Sequence, residues 1–112
     1  SAALVLGRCR RQVLVCDAGK PRNAAAREMH GYLSRDGCSP RELLRIGREE
    51  LKPYGVELRQ VTVSDVAITG DGFEVALETG ERVAARKVLI ATGVRRVLTL
   101  PAARRTCAQV CL

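Results

Sequence analysis

The sequence predicts an α/β fold in which a parallel sheet carries a three-stranded antiparallel meander, and three stretches support that prediction. In Gln12 to Gly19, QVLVCDAG, four largely apolar residues, Val13 to Cys16, end in one acid, Asp17, followed at once by Ala18 and Gly19. Such a run reads as a buried parallel strand with a charged tip. From Val66 to Ala85 the pattern has period two: Val66 and Ile68, then Phe73, Val75 and Leu77, then Val83 and Ala85 alternate with polar residues, with Gly70-Asp71-Gly72 and Thr79-Gly80 between them. Lys87 to Gly93, KVLIATG, is a second buried-strand run, and it stops at small residues that let a backbone approach a ligand.

The remaining elements fall between these. Ser1 to Arg11, SAALVLGRCRR, reads as the last turns of a helix whose arginines, Arg8, Arg10 and Arg11, suit the negative pole of the helix dipole. After the acid-tipped strand, Pro21 fixes a turn and places Arg22, either as a solvated turn residue or to meet a phosphate or an adenine face. Ala24 to Gly37 has no sustained period and reads as a loop excursion. Ser39-Pro40-Arg41-Glu42 is a helix start, with a capping Ser, Pro at the first helical position and Glu positioned to close a capping box. Leu43, Ile46, Gly47, Leu51 and Tyr54 share one helical face, on which Gly47 is expected to allow close approach to the sheet. Val56 to Leu58 and Gln60 to Ser64 are strand material.

Composition narrows the function. At 112 residues, 46% hydrophobic and 28% charged, the chain is of ordinary globular make-up. The net charge of +7 raises nucleic acid as a partner, but the 19 Lys and Arg are dispersed and the aromatics are only Tyr 2 and Phe 1, too few for base stacking. No apolar run approaches the roughly 18 to 20 residues of a membrane helix, and no signal-like segment opens the sequence. Five cysteines at irregular spacing fit reduced thiols, so the expected compartment is cytoplasmic. Cys107 and Cys111 have three residues between them, where a redox dithiol has two. His30 is the only histidine and has no Cys or acid at metal-ligand spacing; it reads as a loop or core residue, or as a cofactor contact. Asp17 admits two readings, a solvated acid ending a strand or an acceptor for ribose hydroxyls.

The ordered set SAALVLGR, VLVCDAGKPRN, HGYLSRDG, SPRELL and KVLIATGV resembles the Rossmann-like FAD-binding domain of the thioredoxin-reductase-like flavoproteins, in the pyridine nucleotide-disulfide oxidoreductase group. The resemblance covers residues 1–96, and residues 97–112 read as a divergent tail. It implies an FAD-dependent oxidoreductase passing electrons between NAD(P)H, flavin and a disulfide or other acceptor. A non-catalytic Rossmann-like remnant that serves as an interaction module is the alternative. By position, Asp17, with Ala18 and Gly19, would bind the adenosine ribose; Arg22 and Asn23 would flank the cofactor; and His30 and Gly31 would lie toward the flavin. Val63 would contact adenine, and Ala91, Thr92 and Gly93 would pass beside the cofactor.

The family's first strand and glycine-rich phosphate turn do not occur in this sequence, so the resemblance implies a fragment. The absent strand would sit between the acid-tipped strand and the Ala-Thr-Gly strand. Its loss would leave two buried edges with unpaired backbone groups, each costing roughly 1 to 3 kcal/mol if dry. A chain with such edges is expected to be prone to association, with a homodimer as one form.

Overall fold

In the computed structural model, residues 1–93 and the backbone of Gln109–Cys111 are described. The order is α1 (Ala2–Arg8), β1 (Leu14–Asp17), α2 (Pro40–Leu51), a 3-10 turn (Lys52–Tyr54), β2 (Glu57–Arg59), β3 (Val63–Thr69), β4 (Gly72–Leu77), β5 (Arg82–Ala85), β6 (Leu89–Ile90) and β7 (Gln109–Cys111). Strands β2-β1-β7-β6 form one sheet, and β3-β4-β5 form an antiparallel meander.

Strand β1 is packed on both faces, which explains why it is apolar up to Asp17 rather than alternating. Val13 and Val15 turn to the helical side, where they cluster with Ala3 of α1 and Val56, and Leu51 and Leu58 pack against them. Leu14 and Cys16 turn the other way, onto Val63, Val75 and Leu77 of the meander. Cys16 is 1% exposed and Val75 fully buried. Arg59 ties the two sheets at their margin, donating to Glu57 at 2.6 Å and to Glu81, just before β5, at 2.8 Å. Those two carboxylates, Glu57 first, push the Arg59 pKa up.

Local chemistry sets the helices. Ser39 Oγ accepts a hydrogen bond from the Glu42 N–H at 3.2 Å, and Pro40 opens α2 as expected. The capping box closes only halfway, because the Glu42 carboxylate is taken by Arg45 at 2.8 and 2.9 Å. Helix α1 lies close over the start of β2 because Gly7 carries no Cβ; one there would come 2.7 Å from Val56 Cγ2 and 3.0 Å from Tyr54 Cβ. Among the described helices, none is long and apolar enough to cross a membrane.

As expected, β1 pairs in parallel with β2, and β3-β4-β5 form an antiparallel meander; other expectations are corrected. Strand β7 is added between β1 and β6 and runs antiparallel to both. The two edges expected to be bare are therefore paired: Val15, Cys16 and Asp17 are matched to Cys111, Val110 and Gln109, and Leu89 and Ile90 to Cys111 and Val110. An unpaired backbone edge beside a buried strand takes whatever extended segment lies in reach, and direction matters less than pairing. Thus three residues assigned to the divergent tail sit at the centre of the sheet. Strand β6 is also not buried. Among the described residues it is the sheet's margin, paired with β7 alone, and Ile90 is 62% exposed. Finally, Gly47 makes no close approach, because a Cβ there would meet open space.

These contacts give opposite predictions for three glycines. Gly7→Ala should lower stability by about 1 to 3 kcal/mol through overpacking, and Gly72→Ala likewise, because its Cβ would run into the Ala85 carbonyl oxygen. Gly47→Ala should raise stability by about 0.5 to 1 kcal/mol, since mid-helix Gly costs that much relative to Ala. Thermal or urea melts of the three variants check the signs. Val110→Pro removes a backbone N–H from the middle of β7. Amide exchange at Cys16 and Ile90 should then speed up; unchanged protection at both would show that β7 does not hold the sheet together.

Candidate functional site

The strand directions place the two sequence-predicted ends of the site at one rim. Because β1 and β6 each run antiparallel to β7, they are parallel to each other, and both finish on the same edge of the sheet. The register makes the match closer. Val110 is opposite Cys16 on one side and Ile90 on the other, so Asp17 and Ala91, each one residue further on, stand level. Two strand spacings separate them, about 10 Å, a distance that an extended dinucleotide spans. Gly93 follows with φ +68°, a backbone that a residue with a side chain rarely adopts.

At the β1 end, the Asp17 carboxylate is held on both oxygens. Oδ1 accepts from the Gly19 N–H at 2.9 Å, and Oδ2 accepts from Arg48 Nη2 of α2 at 3.1 Å. A carboxylate has about four acceptor positions, so these two bonds orient the group and leave it able to accept from a diol. Gly19 has φ +71°, and a Cβ there would lie 2.7 Å from Gln60 Nε2. Beside this tip, Ala18, Gln60, Val61, Thr62, Glu78 and Thr79 line a cleft of about 300 Å³. Its floor is joined by the hydrogen bond from the Glu78 N–H to the Thr62 carbonyl at 3.0 Å. Val63 lies beneath, buried among Leu14, Cys16, Val75 and Leu77, so at this end of β3 the surface toward the cleft comes from Val61 and Thr62.

The other predicted residues are placed apart from this cleft. Arg22 and Asn23 are exposed on the turn after Gly19, and Asn23 Nδ2 reaches Met29 Sδ at 3.9 Å. His30 and Gly31 belong to a loop closed on itself: the Met29 N–H donates to the Cys38 carbonyl, the Gly37 N–H to the Met29 carbonyl, and the Gly31 N–H to Asp36 Oδ1. The His30 ring is 70% exposed between Glu28 at 3.7 Å and Asp36 at 3.6 Å. Among the described residues, no hydrogen bond or ion pair ties this loop to Ala91–Gly93. A separate depression of about 480 Å³, lined by Arg8, Arg10, Arg11 and Tyr54, opens where β1 and β2 begin, at the opposite rim.

Sequence reasoning missed Arg48 and Gln60. Gln60 reads only as strand material and Arg48 only as part of the helix opened by Ser39, and nothing in their spacing marks them; only the fold brings them to Asp17 and Gly19. Among the described residues, no group of His, Cys, Asp and Glu could hold a metal ion. Cys107 lies outside the described residues. The residues present suit the adenosine end of a dinucleotide, with an oriented acid, a cleft and a close-approach glycine. They contain no glycine-rich turn for a pyrophosphate.

No protein-family model matches the chain. A probable thioredoxin reductase of Arthroderma benhamiae is 34% identical over 88% of this chain and 26% of its own length. Among solved structures, HlmI is 46% identical with a TM-score of 0.73, covering 76% of this chain and 28% of its own. The putative thioredoxin reductase TrxB from Bacillus anthracis is 36% identical with a TM-score of 0.79, covering 82% of this chain and 31% of its own. The chain thus spans about a quarter to a third of the proteins it matches. Over that span, the acid-tipped strand, the meander and the level Ala-Thr-Gly turn belong to a thioredoxin-reductase-like Rossmann fold, and the chain is a thioredoxin-reductase-like segment.

Proposed function

We propose that this chain supplies the adenosine-holding part of an FAD site, in an oxidoreductase that passes electrons between NAD(P)H, flavin and a disulfide or other acceptor. The observation that carries the reading is the level placement of Asp17 and Ala91 at one rim, two strands apart. Asp17 would accept from ribose hydroxyls, the cleft beside Ala18 would take the adenine between Val61 and Thr62, and Ala91–Gly93 would lie along the extended cofactor. The flavin itself would supply the redox chemistry. The residues named here bind and orient, and none is a general acid, base or nucleophile for it. A cytoplasmic setting is part of the proposal, supported by Cys9 and Cys38, neither of which is in a disulfide. So is a homodimer, supported by the exposed Leu89 and Ile90 on the margin strand.

A second reading is a non-catalytic Rossmann-like scaffold acting as an interaction module. It draws on β7, which fills the centre of the sheet in a reversed direction without bringing a glycine-rich turn. Flavin separates the two. Under the first reading, FAD should raise the melting temperature of the purified chain, since a ligand that binds only the folded state stabilises it. Asp17→Asn should weaken that binding about tenfold, a loss of about 1.4 kcal/mol. No thermal shift even at millimolar FAD, in a chain shown to be folded by circular dichroism, would leave the second reading standing.

A further inference from the structure

We propose that the depression between the end of α1 and the turn before β2 is a binding site for a run of linked phosphates, free or carried on a nucleotide. It opens where β1 and β2 begin, across the sheet from Asp17 and Ala91, and it stands whether or not the chain holds FAD.

Arg8, Arg10 and Arg11 converge on this depression of about 480 Å³, and no acid is among its lining residues. Elsewhere Arg45, Arg48, Arg59 and Arg82 each meet a carboxylate. Among the described residues, Arg8, Arg10 and Arg11 have no carboxylate in reach. Arg8 is held instead over the ring of Tyr54, 6.0 Å from its centroid, which fixes one wall of the site.

The backbone sets Arg10 apart. Helix α1 is closed by the Arg10 N–H donating to the Gly7 carbonyl at 2.9 Å and the Arg11 N–H to the Leu6 carbonyl at 3.1 Å. In such a helix end the residue after the cap is left-handed and ordinarily glycine; here it is Arg10, at φ +55°. The helix dipole favours a cation at this end, but it does not require one in a backbone that suits glycine. Holding a guanidinium at the depression does. The same two bonds occupy carbonyls that would otherwise face an anion at the helix end. Three planar forks around a cavity of small-molecule size suit a ligand with several charged oxygens close together, and two-pronged contact to phosphate oxygens is where arginine exceeds lysine. A merely solvated basic face would bind such a ligand no better through these arginines than through any others.

Isothermal titration in about 0.15 M salt, where charges beyond about 8 Å are screened, reads the site with three probes: inorganic phosphate, inorganic triphosphate and uridine 5′-triphosphate. Inorganic triphosphate should bind the unaltered chain one to one, and about tenfold more tightly than phosphate. Uridine triphosphate binding as tightly or more so marks a nucleotide-borne phosphate as the ligand; weaker binding marks a free polyphosphate. Arg8→Gln and Arg11→Gln should each weaken triphosphate binding about five- to tenfold. Arg10→Gly should weaken it as much while melting a few degrees higher, a combination that a purely structural role for Arg10 does not produce. Arg41→Gln removes the same charge from the exposed first turn of α2 and should leave the affinity within about twofold. Circular dichroism establishes that each variant is folded. Absence of saturable triphosphate binding, or a loss in Arg41→Gln equal to that in the other three, overturns the site and leaves the reading of the Asp17 rim untouched.

Discussion

The structure depends on one strand having no side exposed to water. β1 packs Val13 and Val15 against the helices, and Leu14 and Cys16 against the meander, while β2 and β7 pair its two edges. A backbone enclosed in this way must satisfy every N–H and C=O within the protein. That requirement fixes the positions of the neighbouring strands to within a hydrogen bond. It also gives Asp17 its position, because the first charge after such a run can lie only where the layers end. The acid marks the rim as a consequence of burial behind it.

The same requirement accounts for β7. Its direction opposes that of β1, β2 and β6, yet it joins two strands that are parallel to each other. Two reversals restore the original sense, so inserting an antiparallel strand leaves the rim geometry as it would be with a parallel one of the same width. The side on which Asp17 and Ala91 emerge is insensitive to the direction of what lies between them. What does change is the approach to the rim: a parallel strand would deliver its following turn there, and β7 begins there instead. A phosphate-binding turn following the central strand is thus incompatible with this arrangement, while the adenosine end is not.

Much of this was legible in the residues. The run Val13 to Cys16 and the alternation of Phe73, Val75 and Leu77 are dictated by burial on two faces and on one, and both appear in the structure as read. Ile68, expected on the same buried face, is instead 85% exposed. Ser39 and Pro40 start α2 for reasons local to four residues. The meander begins earlier than its period-two signal, at Val63, because a bulge between Val63 and Asp65 breaks the alternation there. What could not be read depended on long-range placement. Gly47 is indistinguishable in sequence from a close-approach glycine such as Gly7, since the difference lies in what packs opposite. Lys87 to Gly93 is as apolar as β1, but apolarity does not say whether a strand ends up inside or at a margin. Arg48 reaches its acid across 31 residues, and no periodicity encodes such a meeting.

The loop from Met29 to Cys38 leaves room for evolutionary change. Its neck is sealed by main-chain bonds between Met29, Gly37 and Cys38, so the strain of any insertion or replacement between them stays inside the neck. Leu33 at its tip is 93% exposed and contributes nothing to either core cluster. Lineages carrying this segment could rewrite the loop without disturbing the strand before it or the helix after it. Variation in this loop is therefore uncoupled from inheritance of the scaffold.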